Sequence, residues 1–168
     1  AKGLVYGYTY ETTPLEEDES GNAEVQITNT QQTIQISAAK EWDDNDDFYA
    51  SRPERIRLTL QEKGQNSGQK LSLDDDLAEK EVVRREDGSW PEAVWMNLPQ
   101  QANLGSGLEY ITYTVVENAV GGYDTTYRGG IDGAGNVTAS GQDGEAAVIQ
   151  ITNTQQMTAV KADKIWSD

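Results

Sequence analysis

The sequence of 168 residues contains neither cysteine nor histidine. Without these residues, disulfides, the usual Cys/His zinc sites and Ser-His-Asp or Cys-His nucleophile systems are excluded. No apolar run approaches the length of a membrane span, and no signal peptide is recognisable. We therefore expect an interior piece of a longer protein. If that protein is extracellular, it needs a source of stability other than disulfides.

Basic residues are also scarce, with 13 Lys and Arg against 29 Asp and Glu and a net charge of −16. Such a surface repels nucleic-acid phosphates and anionic membranes, so these partners are excluded. An acidic surface attracts divalent cations and basic proteins, so these stay open as partners. A hydrophobic content of 36%, with four Trp and eight Tyr, is sufficient for the core of one domain.

Apolar and polar residues alternate in several segments, among them 34–37, 56–60 and 110–116. This period of two, with many β-branched and aromatic residues, is typical of half-buried antiparallel strands. Segments rich in Gly, Asp and Asn separate them, which favours a β-sandwich. The acidic residues before Leu77 and Ala78 also allow a short helix to start within residues 74–80.

A repeat is the most informative feature of the chain. The segment Gln26–Gln32, QITNTQQ, recurs unchanged as Gln150–Gln156, so that Asn153 lies 124 residues after Asn29. In both copies a Trp follows the Asn by 13 residues, and a Lys precedes that Trp by two. These matched spacings indicate a tandem array.

The repeat defines the expected boundaries. Residues 33–156 form one complete domain, residues 1–32 the C-terminal part of a preceding repeat, and residues 157–168 the first strand of a following one. The Tyr8 region then corresponds to the Tyr123 region, just before the last strand of each repeat. On this alignment both flanking repeats lack their middle strands.

Three side chains suggest a chemistry. Lys40 ends the first strand of the unit, Asn153 lies in the last strand, and Glu117 ends a strand between them. If the first and last strands are neighbours, Lys40 and Asn153 meet in the core. There a neutral amine can attack the Asn carboxamide with help from a protonated carboxyl group. From the residues alone, surface positions or a buried salt bridge beside a hydrogen-bonded amide are the favoured explanation of these three side chains.

The order of several motifs resembles the collagen-adhesin B-type (Cna B-type) repeat. The motifs are Lys40–Asp44, Arg52–Glu54, Asn97–Pro99, Tyr113–Glu117, Gly122–Tyr123 and Ile151–Thr154. The resemblance implies an all-β fold, an inverse Ig-like antiparallel sandwich of about seven strands. It also implies an isopeptide bond between Lys40 and Asn153, catalysed by Glu117.

The resemblance further implies a structural stalk module of an adhesin or pilus-like fibre of a Gram-positive bacterium. Such a module is extracellular, belongs to a wall-anchored protein, needs no cofactor and is not an enzyme, since its bond forms only once. The expected partners are adjacent repeats and, at a distance, a host extracellular protein or glycan. Asn29 and Lys164 are candidates for cross-links to residues of the flanking repeats.

Other interpretations stay open. The acidic segments 43–47 and 74–76 offer oxygen ligands for calcium, although solvated turns explain them as well. The sandwich loops are suited to binding a host protein or glycan, and neighbouring chains are able to complete the flanking half-repeats as a strand-sharing fibre. A glycosidase with paired carboxylates is a weaker alternative. Segments 71–87 and 128–143 are longer than the family pattern, which predicts insertions there.

Overall fold

Alternating apolar and polar residues make extended strands the dominant element of the chain. The computed structural model describes residues 5–14, 16–72, 75–105, 107–129, 136–138 and 147–167. Within these ranges the elements are β1 (Val5–Tyr6), β2 (Tyr8–Thr12), β3 (Glu16–Glu17), β4 (Ala23–Glu24), β5 (Ile27–Gln31), β6 (Thr33–Asp43), β7 (Arg55–Gly64), β8 (Lys70–Leu71), α1 (Asp75–Ala78), β9 (Glu79–Val83), β10 (Ala93–Pro99), β11 (Gln101–Asn103), β12 (Leu108–Glu117), β13 (Tyr123–Arg128), β14 (Asn136–Thr138) and β15 (Ala147–Gln155).

Two sheets form the body of the molecule. One has the order β1-β11-β12-β7-β8, with β14 added beside β12 and β9 beside β7. The other has the order β10-β6-β15-β13. The predicted all-β, inverse Ig-like sandwich is therefore confirmed. Short strands flank the long central strands β7 and β12 of the larger sheet.

The buried residues of both sheets pack into one core. On β7 and β12 every second side chain is buried, as the alternation of the sequence predicts. The largest fully buried side chains come from both sheets: Tyr113, Ile36, Leu58, Ile111, Ile149, Ile151, Val115 and Asn153. A polar amide is thus buried as completely as the surrounding aliphatic side chains.

The first and last strands of the unit lie side by side and run parallel. β15 pairs with β6 in the register Ile151↔Lys40 and Asn153↔Trp42. Because the strands are parallel, the chain enters β6 at one end of the sandwich and leaves β15 at the other. We call these the N-terminal end and the C-terminal end of the module.

The N-terminal residues form a separate hairpin of β2 and β5, which pair as Tyr8↔Gln31 and Tyr10↔Asn29. The last hairpin of the module pairs in the corresponding way, with Tyr123↔Gln155 and Thr125↔Asn153. The two copies of the repeated segment therefore pair with corresponding strands in the same register. The division into three parts stays a prediction that this similarity supports.

The long segment 71–87 contains β9 and a single helical turn, α1, where the sequence allows a helix to start. The indole N–H of buried Trp95 donates a hydrogen bond of 3.2 Å to the carbonyl oxygen of Ala78, which ties this turn to the core. Of the second long segment, 128–143, residues 130–135 and 139–143 lie outside the described residues. None of the helical residues described forms a helix long and apolar enough to cross a membrane.

Candidate functional site

The register of β6 and β15 makes Lys40 and Asn153 diagonal neighbours. Lys40 lies opposite Ile151, and Asn153 follows Ile151 by two residues on the same strand face. Both side chains are directed inward, because Ile151 and Asn153 are fully buried and the Lys40 side chain is only 2% exposed. A diagonal separation of this kind is within reach of a long side chain.

Glu117 approaches from the facing sheet. It ends β12, and its side chain is 0% exposed, with Oε1 at 3.3 Å from Nζ of Lys40. Val115 and Tyr113 precede it on the buried face of the strand. The structure therefore brings the predicted catalytic carboxyl group and the predicted amine into contact within the core.

Polar atoms without hydrogen bonds accumulate at this point. Among the described residues, Lys40 Nζ, Glu117 Oε1 and both amide atoms of Asn153 are buried without a hydrogen-bond partner. Lys40 and Glu117 compensate each other in part as an ion pair at 3.3 Å, whereas neither amide atom of Asn153 has a partner. A buried polar group left unpaired costs about 1–3 kcal/mol, so this arrangement is expensive as it stands.

Burial also changes the charge state of the amine. It lowers the pKa of Lys40 from its ordinary 10.5 to about 8, although the nearby carboxylate of Glu117 opposes this shift. The physical reason is that the low-dielectric core disfavours the ammonium form. The neutral amine, which is the nucleophilic form, is therefore far more abundant near neutral pH than it is for an ordinary lysine.

Two residues that sequence reasoning missed position Glu117. Thr125 Oγ1 donates a hydrogen bond of 3.1 Å to Glu117 Oε2, and the backbone N–H of Glu117 donates one of 2.9 Å to the hydroxyl of Tyr127. Thr125 lies directly opposite Asn153 on β13. The carboxylate is therefore held by the strand that lies beside Asn153. In the sequence, only the alternation of residues in Tyr123–Arg128 indicates that Thr125 and Tyr127 share one face of a strand.

Aromatic rings cover the site towards the C-terminal end of the module. The Trp42 ring centroid lies 4.5 Å from Lys40 Nζ, 5.3 Å from the Trp90 ring and 4.9 Å from the Tyr123 ring. Such rings exclude water from the amine and contribute a cation–π attraction when it is charged. Trp42 and Trp90 therefore have a packing role beside the site.

The acidic segment 43–47 has a structural role in the described residues. Asp44 accepts two hydrogen bonds from Arg52, at 2.6 and 2.8 Å, and a third from the Tyr123 hydroxyl. Asp47 accepts from two backbone N–H groups and from Arg84. In the part of the chain that the structure describes, no cluster of acidic side chains has the arrangement of a metal site. In the other acidic segment, Asp74 lies outside the described residues.

The two flanking candidates lie away from this core. Asn29 is exposed on β5, opposite Tyr10, and Lys164 is exposed in the segment that follows β15, with Nζ 3.6 Å from the Trp166 ring centroid. The structure therefore does not bring either of them to the Lys40 site. Their partners stay a prediction.

Comparison with solved structures finds repeat units of a collagen-binding surface protein and pilins. Two B repeat units of the collagen-binding protein of Staphylococcus aureus share 23% identity with a TM-score of 0.46, covering 89% of this chain and 30% of theirs. A single B repeat unit of the same protein shares 21% identity with a TM-score of 0.48, covering 85% of this chain and 72% of that one. A major pilin of Streptococcus pyogenes shares 14% identity with a TM-score of 0.41, covering 93% of this chain and 63% of the pilin.

This chain thus spans less than a third of the two-repeat structure and somewhat less than two thirds of the pilin. A comparison with curated proteins finds no significant match. The model of the Cna protein B-type domain family matches residues 36–154, which is well over half of the sequence, and the chain therefore belongs to this family.

Proposed function

We propose that this chain is a stalk module of a bacterial surface adhesin or pilus-like fibre, which cross-links itself by an isopeptide bond between Lys40 and Asn153. Family membership supports the broader part, a structural module at the cell surface. The observation that carries the finer part is the buried cluster of Lys40, Glu117 and Asn153. Among the described residues, four of its atoms lack a hydrogen-bond partner: Lys40 Nζ, Glu117 Oε1 and both amide atoms of Asn153.

The reaction begins with a proton transfer. Glu117 Oε1, at 3.3 Å, is the base that takes a proton from the Lys40 ammonium, leaving a neutral amine and a carboxylic acid. Burial favours the neutral amine, because the ammonium is disfavoured in the core. Thr125 holds the second carboxyl oxygen, so Oε1 stays directed at Nζ.

The amine then attacks the side-chain carbonyl carbon of Asn153. The Glu117 carboxyl polarises the amide, and a proton passes through it to the departing nitrogen. One C–N bond forms and one breaks, and the products are a secondary amide and one ammonia. No oxidant, metal or cofactor enters the balance, and the reaction occurs once in each molecule.

The bond relieves the unfavourable burial at the site. Lys40 Nζ becomes an amide N–H that is able to donate to Glu117, and the Asn153 oxygen becomes an amide acceptor. The costly ammonium disappears from the core. Forming the bond thus converts a buried ion pair and an unpaired amide into a neutral network.

The mechanical role follows from the strands that are joined. β6 begins the module and β15 ends it, so a load along the array enters through one and leaves through the other. A covalent bond between them carries this load past the rest of the domain. It also restricts the unfolded chain as a disulfide would, contributing about 4–5 kcal/mol for a loop of this size.

Intact mass measurement with tryptic peptide mapping tests the proposal. We expect a deficit of one ammonia against the sequence, with the deficit mapped to a Lys40–Asn153 peptide pair. Glu117→Gln and Glu117→Ala should restore the full mass. A full mass in the wild-type chain, or a bond that still forms in both variants, would contradict the cross-link or its catalyst.

A second buried carboxylate offers a matched control. Glu62 is as deeply buried as Glu117, but it lies opposite Tyr113, four residues away along β12. Burial raises the pKa of Glu62, so Glu62→Gln should be well tolerated. This variant should still lose one ammonia. If it does not, any buried acid would matter and the role of Glu117 would not be specific.

The outer parts of the chain fit the same function. Asn29 would be cross-linked by a lysine of the preceding repeat, and Lys164 by an asparagine of the following one. The neighbouring repeats are then the direct partners. Anchoring to the cell wall and any host protein or glycan ligand would belong to other parts of the whole protein.

A further inference from the structure

An exposed aromatic pair projects from the C-terminal end of the module. Phe48 and Tyr49, in the loop after β6, are 70% and 63% exposed and contact each other edge to face at 5.0 Å. Asp44 and Asp47 hold the loop backbone, which has positive φ angles at Asn45, Asp46, Asp47 and Ala50. The pair is thus presented to solvent by a well-braced loop.

The same loop contacts the strands by which the chain leaves the module. The Ser51 hydroxyl lies 2.7 Å from the Tyr123 hydroxyl and accepts a hydrogen bond of 3.0 Å from the Gln155 side chain. Tyr123 and Gln155 are paired across β13 and β15. The aromatic pair therefore stands next to the exit of the chain.

A groove lies at the opposite, N-terminal end, with a volume of about 630 Å³. Leu77, Met96 and Pro99 of the module line one side, and Tyr8 and Gln31 of the preceding hairpin line the other. Leu77, Met96 and Tyr8 are all more than half exposed. Exposed apolar side chains gathered in this way mark an interaction surface.

The repeat identifies what would reach this groove. Tyr8 pairs with Gln31 as Tyr123 pairs with Gln155, so the two pairs occupy equivalent positions in successive repeats. In the module, that pair contacts the loop with Phe48 and Tyr49 through Ser51. The corresponding loop of the preceding repeat would therefore lie against Tyr8 and Gln31, at the wall of the groove.

Hydrogen bonds already join the preceding hairpin region to the module. β1 adds to the edge of β11 in the register Tyr6↔Ala102, and Gly7 N–H donates to the Gln101 carbonyl at 3.0 Å. Gln100 N–H donates to the Gln32 carbonyl, also at 3.0 Å. Tyr6 packs against the core. These contacts fix the side of the module on which the preceding repeat lies.

We infer that successive repeats dock end to end, with the Phe48–Tyr49 loop of one repeat packed into the Leu77–Met96–Pro99 groove of the next. Lys80 also lines this groove, and the loop that would occupy it is acidic, so the charges of the two surfaces are complementary. The inference rests on the tandem-array part of the proposed function and does not require the isopeptide bond. Such docking would restrict bending between successive repeats of the array.

Joining residues 1–156 to residues 33–168 gives a chain with two full repeats, in which this docking can be tested. Because the sequence has no cysteine, any disulfide that forms must join the two engineered cysteines. Tyr49→Cys in the first repeat and Met96→Cys in the second should form a disulfide on mild oxidation. Non-reducing peptide mapping and intact mass detect it.

Two exposed apolar residues supply controls. Val83→Cys replaces Tyr49→Cys near the same end of the first repeat, and Val148→Cys replaces Met96→Cys in the second. We expect each control pair to link at least tenfold more slowly than the test pair. Equal rates, or no disulfide in the test pair, would overturn the inference.

The same samples separate this inference from the proposed cross-link. Each complete repeat should lose one ammonia whether or not the disulfide forms. Loss of ammonia without preferential disulfide formation rejects the docking alone. A preferential disulfide in a chain of full mass upholds the docking and rejects the isopeptide bond.

Discussion

Lys40 shows how the surroundings of a single residue determine its chemistry. A lysine at the rim of a sandwich normally extends its charged end into water. Here Trp42 covers it, Glu117 faces it, and its side chain is almost fully buried. The charge is therefore costly, and the cost appears as a pKa lowered to about 8.

The lowered pKa of Lys40 predicts a pH dependence in a chain that cannot form the bond. Asn153→Ala keeps Lys40 and Glu117 but removes the electrophile. Between about pH 8 and 10.5 the unfolded lysine holds a proton that the folded one has lost, so stability rises with pH. Urea denaturation should show a gain of roughly 1–2 kcal/mol from pH 8 to pH 9.5.

The control for this pH dependence is the double variant Lys40→Met with Asn153→Ala. It lacks the buried amine but retains the exposed titrating groups, including those of the chain terminus. Its unfolding free energy should be flatter over the same interval. A slope equal to that of the single variant would mean that Lys40 is charged in the folded state.

The residues of the site were only partly predictable from the sequence. Lys40, Glu117 and Asn153 stand out because their motifs occur in the family order. Thr125 and Tyr127 looked like ordinary strand residues, since their role depends on the pairing of β13 with β15. Glu62 also went unnoticed, although the alternation of β7 places it on the buried face.

At the scale of elements, the predicted strands at 34–37, 56–60 and 110–116 all lie within observed strands, β6, β7 and β12. Their two-residue period is strong because one face is buried. The pairing of β1 with β11 was not predictable. It depends on edge hydrogen bonds, which use the backbone and leave little trace in side-chain pattern.

The connection between β6 and β7 is held by a nearly buried ion pair. Asp44 has a pKa lowered to about 2, chiefly by the hydrogen bonds from Arg52. The stabilisation is therefore present above the ordinary pKa of 3.8 and is lost as pH falls towards 2. Since Arg52 is also largely buried, loss of the Asp44 charge leaves it without its partner.

We expect Asp44→Asn, in the unlinked Asn153→Ala background, to lower the unfolding free energy at pH 7 by about 2–4 kcal/mol. The difference should shrink when urea denaturation is repeated at pH 2.5. Asp43→Asn is the matched control, because Asp43 is the exposed neighbouring acid, and it should change stability by less than about 0.5 kcal/mol. Equal effects of both variants would rule out a special role for Asp44.

At the scale of the whole molecule, the path of the chain determines the response to force. On the proposed boundaries the module begins at Thr33 and ends near Gln155, at opposite ends of two parallel neighbouring strands. A bond from Lys40 to Asn153 would enclose nearly all residues between these points in a covalent loop. Tension along the array would then pass through a few residues of β6, the bond, and the end of β15.

Single-molecule stretching of an array of residues 33–156 should therefore depend on the bond. With the bond, only the short segments outside the loop can extend, by less than roughly 40 Å per repeat. In the Glu117→Gln array, each repeat should unfold with a length gain of roughly 350–400 Å, since the whole unit then becomes extended chain. Glu62→Gln should behave as the wild type does. Unfolding steps of full length in a wild-type array of verified ammonia loss would show that the bond lies outside the path of the load, and the stalk function would then need another basis.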